Sequence, residues 1–399
     1  MEKSRDHGFV SALVFLAATH FVIHVYHELL PALLPTLRYE LGVNLPQISL
    51  LVSIPLLVRV LFNIPVGFAS DRAGELIIAA SFISNFLAAI LISTSSKFMP
   101  LLLGFCLFSM ASTLFHPPSL RAASEVDASN LNLTMGAYNA GGNLGMAIGP
   151  IALGIIMPLM GWRSSFVLWV PPTLLAAVAS YIYMRKAESP SPEKHSRAGA
   201  DFNSMLKTDF LLVLLIGALI EAAFLNFSTY ITTYFTEVRG ITPSLASIIF
   251  GVGPLAGIAG AFLGGVAGYR FGQQRTITIL LIMASTLFLS IPLSPGLLIA
   301  PIYIFSRILT ASIIPLQNSM VASYSDVQNR SLAYGIYFVV WSIVGASTTQ
   351  ITAFLAEDHS TSIMFPICIA LITASAAIIQ VLKSMDRRKA VKGTVTNSS

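Results

Sequence analysis

The chain of 399 residues is 55% hydrophobic and only 10% charged, with a mean hydropathy of +0.77. Soluble domains carry roughly 25% charged residues, so a water-soluble enzyme or binding module is excluded. A chain that crosses a lipid bilayer many times is expected instead.

Apolar segments long enough to cross about 30 Å of hydrocarbon fall near 9–35, 47–69, 75–95, 98–120, 133–158 and 163–184. Six more follow near 208–233, 243–268, 274–292, 296–320, 331–355 and 361–383. The opening "MEKSRDHG" leads into the first of these with no small-residue cleavage pattern, so that run is read as a retained span and not a signal peptide. Cys106 and Cys368 lie in distant apolar runs and are expected to be packed thiols.

Twelve spans put both termini on one side. Of the 23 Lys and Arg, all lie on that side except Arg38, Lys97, Arg163 and Arg239, which face the other way, and Arg59 and Arg307, which fall inside spans. The positive-inside rule then places both termini in the cytoplasm of a multi-pass protein of the cell (plasma) membrane. The net charge of +5 orients the chain in lipid and calls for no nucleic acid.

The longest polar interruption, from Arg185 to Lys207, is rich in Ser, Pro and charge, as expected of a cytoplasmic linker. The predicted organisation is a six-helix half over 1–186, a linker over 187–207, a second six-helix half over 208–383 and a mobile basic tail over 384–399. Internal repetition supports the two halves. "GFASDRAGE" from Gly67 recurs as "GVAGYRFGQ" from Gly265, Pro117 matches Pro315, and Tyr138 matches Tyr337, at spacings of 198 or 199 residues.

The first copy fits G-x-x-x-D-R-x-G in a short turn between the second and third spans. Gly67 and Gly74 permit a tight turn, Asp71 can accept from a helix N-terminus, and Arg72 can bridge to another helix end. With the duplication, the twelve spans and the central linker, this motif resembles the major facilitator superfamily. The resemblance implies an all-α fold of two pseudo-symmetric six-helix bundles, in which Gly67, Asp71, Arg72 and Gly74 latch the halves in one state of a transport cycle. Glu75 stands where the family usually has a basic residue and Tyr269 where the second copy has an acid, so an asymmetric latch is expected.

Span five reads "GGNLGMAIGPIALG". Gly145, Gly149, Pro150 and Gly154 match G-x-x-x-G-P-x-x-x-G, similar to the signature of proton-linked exporters in that superfamily. Small residues at this spacing let helices approach closely, and Pro150 removes a backbone donor and can bend the helix. The run "STLFHPPSLRAAS" followed by "YNAGGNLG" resembles the fosmidomycin-resistance branch, as does the first span around His20. That branch commonly has an acid where this chain has His24, and often one where it has Pro118.

An ionisable side chain at the centre of a span costs about 2.5–3.5 kcal/mol, so each is a functional candidate. Arg59, His116, Glu221 and Arg307 lie inside spans. His20, His24, His27 and Glu28 follow i, i+4, i+7 and i+8, which predicts one stripe on the first helix. The repeat sets Glu221 opposite His24. In the superfamily these helices line the central cavity, which implies a facing pair for protons or substrate. The predicted cavity set is His24, Glu28, Arg59, His116, Glu221 and Arg307. Two histidines at i and i+4 can hold a divalent ion, but no H-E-x-x-H motif is present and neither cysteine adds a ligand. No metal or other cofactor is therefore expected beyond a coupling proton.

The sequence thus predicts a monomeric secondary transporter and not an enzyme, since nucleotide-binding loops and hydrolase motifs are absent. Its expected action is proton-coupled efflux of a small, drug-like or anionic organic compound by alternating access. Uptake of an organic acid, sugar or nucleoside with protons is the alternative on the same fold.

Overall fold

The computed structural model describes residues 2–126, 131–186, 207–325 and 330–396. The described residues are helical with short turns, and no strand occurs among them. Among the described residues, twelve stretches are long and apolar enough to cross a membrane. They are Val10–Leu41, Leu45–Asn63, Leu76–Thr94, Phe98–Ala123, Thr134–Met160, Ser164–Tyr183, Thr208–Val238, Pro243–Phe271, Gln273–Leu293, Gly296–Ser323, Ala333–His359 and Thr361–Arg388, here spans one to twelve. All twelve lie close to the positions expected from hydropathy.

Span one is not one helix. Helix Glu2–His24 stops, four residues turn, and helix Leu29–Leu41 follows. Through the turn the His27 and Leu29 amides reach back only three residues, to the carbonyls of His24 and Tyr26. Pro31 and Pro35 supply no amide of their own, so the carbonyls four residues before each lose their usual donor. The carbonyl of Pro31 is taken up by the Thr232 hydroxyl. Pro158 leaves the Gly154 carbonyl in the same position, and the Ser244 hydroxyl takes it. Hydroxyls from neighbouring spans thus complete backbone bonding that lipid cannot supply.

The link from span one to span two is well specified. Gly42, with φ 61°, closes helix Leu29–Leu41. Asn44 and Gln47 then form a reciprocal capping box at the start of helix Leu45–Thr94.

That helix carries spans two and three without a break, yet it cannot be straight. Pro55 accepts from Ser109 at 2.6 Å, while Ser84 donates to Leu107 at 2.9 Å. Two points 29 residues apart, about 43 Å along a straight helix, meet the same turn of span four. The chain therefore doubles back between spans two and three, where the sequence predicts the "GFASDRAG" turn. The side chains of 67–68 and 70–75 lie outside the described residues, and with them the latch roles of Gly67, Asp71, Arg72 and Gly74.

Helices in lipid gain little from hydrophobic burial against each other, so small residues that permit close packing matter most. A Cβ at Gly141, Gly145 or Gly149 would run into the carbonyls of Ala17, Phe21 and Val25, so span five lies against span one along this stripe. Gly154, one turn on, meets Ser244 and Ile248. Gly260 and Gly264 of span eight pack in the same way on the carbonyls of Ile308 and Ser312 in span ten.

The chain forms two compact units. The first is Met1–His195 with Ser228–Leu255 and Ala353–Thr361; the second is Ser196–Phe227 with Ala256–Thr352 and Ser362–Ser399. These units cut across the predicted halves 1–186 and 208–383, because residues near one end of spans seven, eight and eleven pack with the first unit. Linker residues 187–206 lie outside the described residues. The predicted mobile tail instead continues span twelve as helix Met364–Thr396. Its sequence "DRRKAVK" contains good helix formers and neither Gly nor Pro before Gly393, so nothing stops the helix at Ser384.

Candidate functional site

In the first unit, spans one and four bring three imidazoles together. His20 and His24 are one helical turn apart near the end of helix Glu2–His24, and His116 reaches them from helix Phe98–Val126. His24 Nε2 lies 3.2 Å from His116 Nε2. Ring centroids are 4.6 Å apart for His20 and His24, 5.2 Å for His24 and His116, and 5.5 Å for His20 and His116.

Backbone carbonyls fix two of the tautomers. His20 Nδ1 donates to the Tyr138 carbonyl at 2.7 Å, and His116 Nδ1 donates to the Ser112 carbonyl at 2.7 Å. Because a carbonyl can only accept, each ring carries its proton on Nδ1 and presents an Nε2 lone pair. His20 is also held as a plane: Tyr138 stacks on it at 3.9 Å between centroids, and Gly142 leaves the space its ring fills. The Tyr138 hydroxyl is anchored in turn by Ser119 at 2.8 Å. Arg59, half-buried in span two, lies within electrostatic range of both His24 and His116.

The predicted histidine stripe does not run its full length. Helical geometry ends at His24, so His27 and Glu28 fall in the turn and not one helical step below. His27 is exposed, while Glu28 is buried with its Oε1 3.8 Å from His27 Nδ1. His24 stands at the centre of the cluster, between His20 and His116, and His20, absent from the predicted cavity set, completes it.

Glu221 belongs to the second unit, half-buried on helix Thr208–Thr233. Arg307 of span ten is near enough to act on its charge, and buried Tyr337 of span eleven lies in range as well. The Tyr337 ring packs against Gly217, one turn before Glu221. The second copy of the loop motif leaves Tyr269 exposed. Gln274 beyond it donates to the Tyr324 hydroxyl and to Asp386, at 2.8 Å each, and the Tyr324 hydroxyl donates to the same carboxylate. Burial and that hydrogen bond push the Tyr324 phenol pKa up. Gln274, Tyr324 and Asp386 line a cavity of about 730 Å³ together with Gly268 and Lys383.

In sequence Arg38 and Arg163 are only sparse charges outside the spans, and nothing there announces the group they form. At the end where spans one and two join, Arg38 clamps Glu237 through two 2.9 Å hydrogen bonds and Glu357 through a third. Glu357 also accepts from the Leu45 amide at 2.6 Å, at the start of span two. A π-helical turn, Tyr234–Val238, presents Glu237 at the end of span seven. Beside it, Glu40 accepts from Trp162 at 2.7 Å and from Arg163.

A sequence profile described as the Major Facilitator Superfamily matches residues 10–349. The chain belongs to that superfamily. Among curated members, the fosmidomycin resistance protein of Escherichia coli (strain K12) is 24% identical over 66% of this chain and 66% of its own length. The nitrite extrusion protein of Bacillus subtilis (strain 168) is 22% identical over 59% of this chain and 60% of its own length. The chain thus spans two thirds or less of these two relatives. A bacterial homologue of the human lysosomal transporter Spinster, solved in an inward-facing and unoccupied conformation, superposes with a TM-score of 0.77 at 15% identity, over 95% of this chain and 96% of that one. At that identity the likeness fixes the fold alone. This superfamily member is a multi-pass membrane transporter, with the all-α, twelve-span architecture its sequence predicted.

Proposed function

We propose that the chain is a proton-coupled exporter of a small organic anion, lying in the cell membrane with both termini in the cytoplasm and working by alternating access. The observation that carries this reading is the placement of ionisable groups inside spans in both units. His24, His116 and Arg59 lie together in the first, and Glu221 lies beside Arg307 in the second. Groups so costly to hold in lipid mark ion and substrate pathways, and imidazole and carboxylate are suited to gaining and losing protons. Arg59 and Arg307 supply the positive charge an anion needs. Outward transport draws on the names of two relatives, one conferring fosmidomycin resistance and one extruding nitrite. The small-residue motif at Gly145, Gly149, Pro150 and Gly154 packs span five on its neighbours as an exporter-type signature would, and Asp71 and Arg72 are assigned the latch role.

The nearness of Arg307 to Glu221 favours the second reading, uptake. A proton on Glu221 would release Arg307 to bind an anion, so that proton and cargo enter together. Flux in proteoliposomes under an imposed pH gradient separates the two. Cargo moving against the proton flow supports export, cargo moving with it supports uptake, and no gradient-dependent flux across a broad drug and organic-anion panel contradicts both.

A further inference from the structure

We infer that His20, His24 and His116 form a binding site for a zinc-class divalent cation between spans one and four. One ring nitrogen from each residue lies within 4.8 Å of the others, and the closest pair, His24 and His116, is 3.2 Å apart. Nitrogens bound at about 2.0–2.1 Å to one tetrahedral ion stand roughly 3.3–3.4 Å apart, so His24 and His116 are already at that spacing. The His20 nitrogen, within 4.8 Å of the other two, must draw in to complete the set.

The hydrogen bonds point the same way. Metal-binding histidines characteristically donate their second ring N–H to a carbonyl or carboxylate, which fixes the tautomer and aims the free lone pair at the ion. His20 and His116 both do this, through Tyr138 and Ser112. The Nε2 of His20 is buried and has no hydrogen-bond partner. With both Nε2 atoms of the 3.2 Å pair facing each other, His24 must place its proton on Nε2 to donate to His116. That leaves His24 Nδ1 a second buried lone pair without a donor, as observed. Unmet buried acceptors are costly. A cation bound by the Nε2 lone pairs of His20 and His116, and by that of His24 in its Nδ1–H tautomer, gives the buried His20 Nε2 the partner it lacks.

Three neutral nitrogens select a borderline ion such as Zn²⁺ or Co²⁺ over Mg²⁺ or Ca²⁺. Glu28, the carboxylate nearest in sequence, is engaged beside His27, and Arg59 lies in range and opposes any cation. The affinity is therefore set by the imidazoles and weakened by Arg59. The site shares His24 and His116 with the proposed transport pathway but does not depend on transport.

The test uses the full chain in detergent, free of any affinity tag and stripped with a chelator. Zn²⁺ is titrated by calorimetry, and Co²⁺ serves as a probe whose visible absorption reports nitrogen coordination. One equivalent per chain is expected, weakened at least tenfold in His24→Gln and in His116→Gln and unchanged in His27→Gln. Arg59→Gln should bind more tightly. Thermal melts establish that each variant is folded. Because His20 is wedged between Tyr138 and Gly142, His20→Gln is read only alongside its melt, and the other two variants decide. Absence of a one-to-one site, or Co²⁺ absorption that survives both His24→Gln and His116→Gln, overturns the inference. Proton-driven flux measured on the same preparations is a separate result: flux without zinc binding removes this site and leaves the transport reading intact.

Discussion

The two copies of the internal repeat solve one packing problem with opposite choices. In the first copy, His20 is the large group and Gly142 gives way, with Tyr138 stacked on the imidazole. In the second, the position 197 residues after His20 is Gly217, and the Tyr337 ring fills the space. The position matching Gly142 is Trp341. His24 becomes Glu221 and His116 becomes Ile314. A cluster of neutral imidazoles on one side thus corresponds to a single carboxylate beside an arginine on the other. The duplication keeps the helix contacts and reassigns the chemistry, so proton handling need not be shared equally by the two copies.

That comparison can be broken most forcefully at its small residues. Gly142→Ala drives a Cβ into the His20 ring and Gly217→Ala drives one into Tyr337. Each is expected to cost about 1–3 kcal/mol, seen as a lower melting temperature in detergent. Zinc binding should change only in the first variant. Equal tolerance of both substitutions would show that the swapped packing is not what holds either ring.

A smaller effect is expected where repeat-related positions meet directly. Arg38 and Glu237 are 199 residues apart, the repeat spacing, and carry opposite charges. Arg38→Ala leaves Glu237 and Glu357 facing each other and should cost about 1 kcal/mol, since all three side chains are partly exposed and the pairs are screened. Arg38→Lys should restore only part of this, because one ammonium nitrogen replaces the two guanidinium nitrogens that hold Glu237 and Glu357 separately. Thermal melts at low and high salt check both statements, and the difference should shrink with salt.

The smallest effect belongs to the second loop copy. Tyr324→Phe removes the bonds to Asp386 and Gln274 and should cost about 0.5–1.5 kcal/mol. Native Tyr324 should also resist ionisation as pH rises past 10, because its phenol pKa is raised. An ultraviolet pH titration of native protein against Tyr324→Phe reads this directly. A tyrosinate that forms at the ordinary pH would mean the Asp386 contact is not made.

Much of this architecture is legible in the sequence, because spans and turns are local properties. Hydropathy gives twelve spans, Asn44 and Gln47 announce a helix start, and the glycines of span five announce close packing. The prolines say more than expected: Pro35 and Pro158 each leave a carbonyl four residues back in need of a donor, which Thr232 and Ser244 provide. The break after His24 is not legible, since Pro31 and Pro35 lie beyond it and the Gly149 contact that fits it at Val25 is tertiary. The meeting of His20 with His116 is likewise tertiary. Spacing along one helix puts His27 and Glu28 on the same stripe as His20 and His24, and the turn carries them away from that line.

The central claim is proton coupling through these unlike copies, and Glu221→Gln tests it most directly. Cargo exchange at equal pH and accumulation driven by a pH gradient are measured in proteoliposomes holding native protein and this variant. Glu221→Gln should keep exchange while gradient-driven accumulation falls at least tenfold. Accumulation at the native level in that variant would contradict the account.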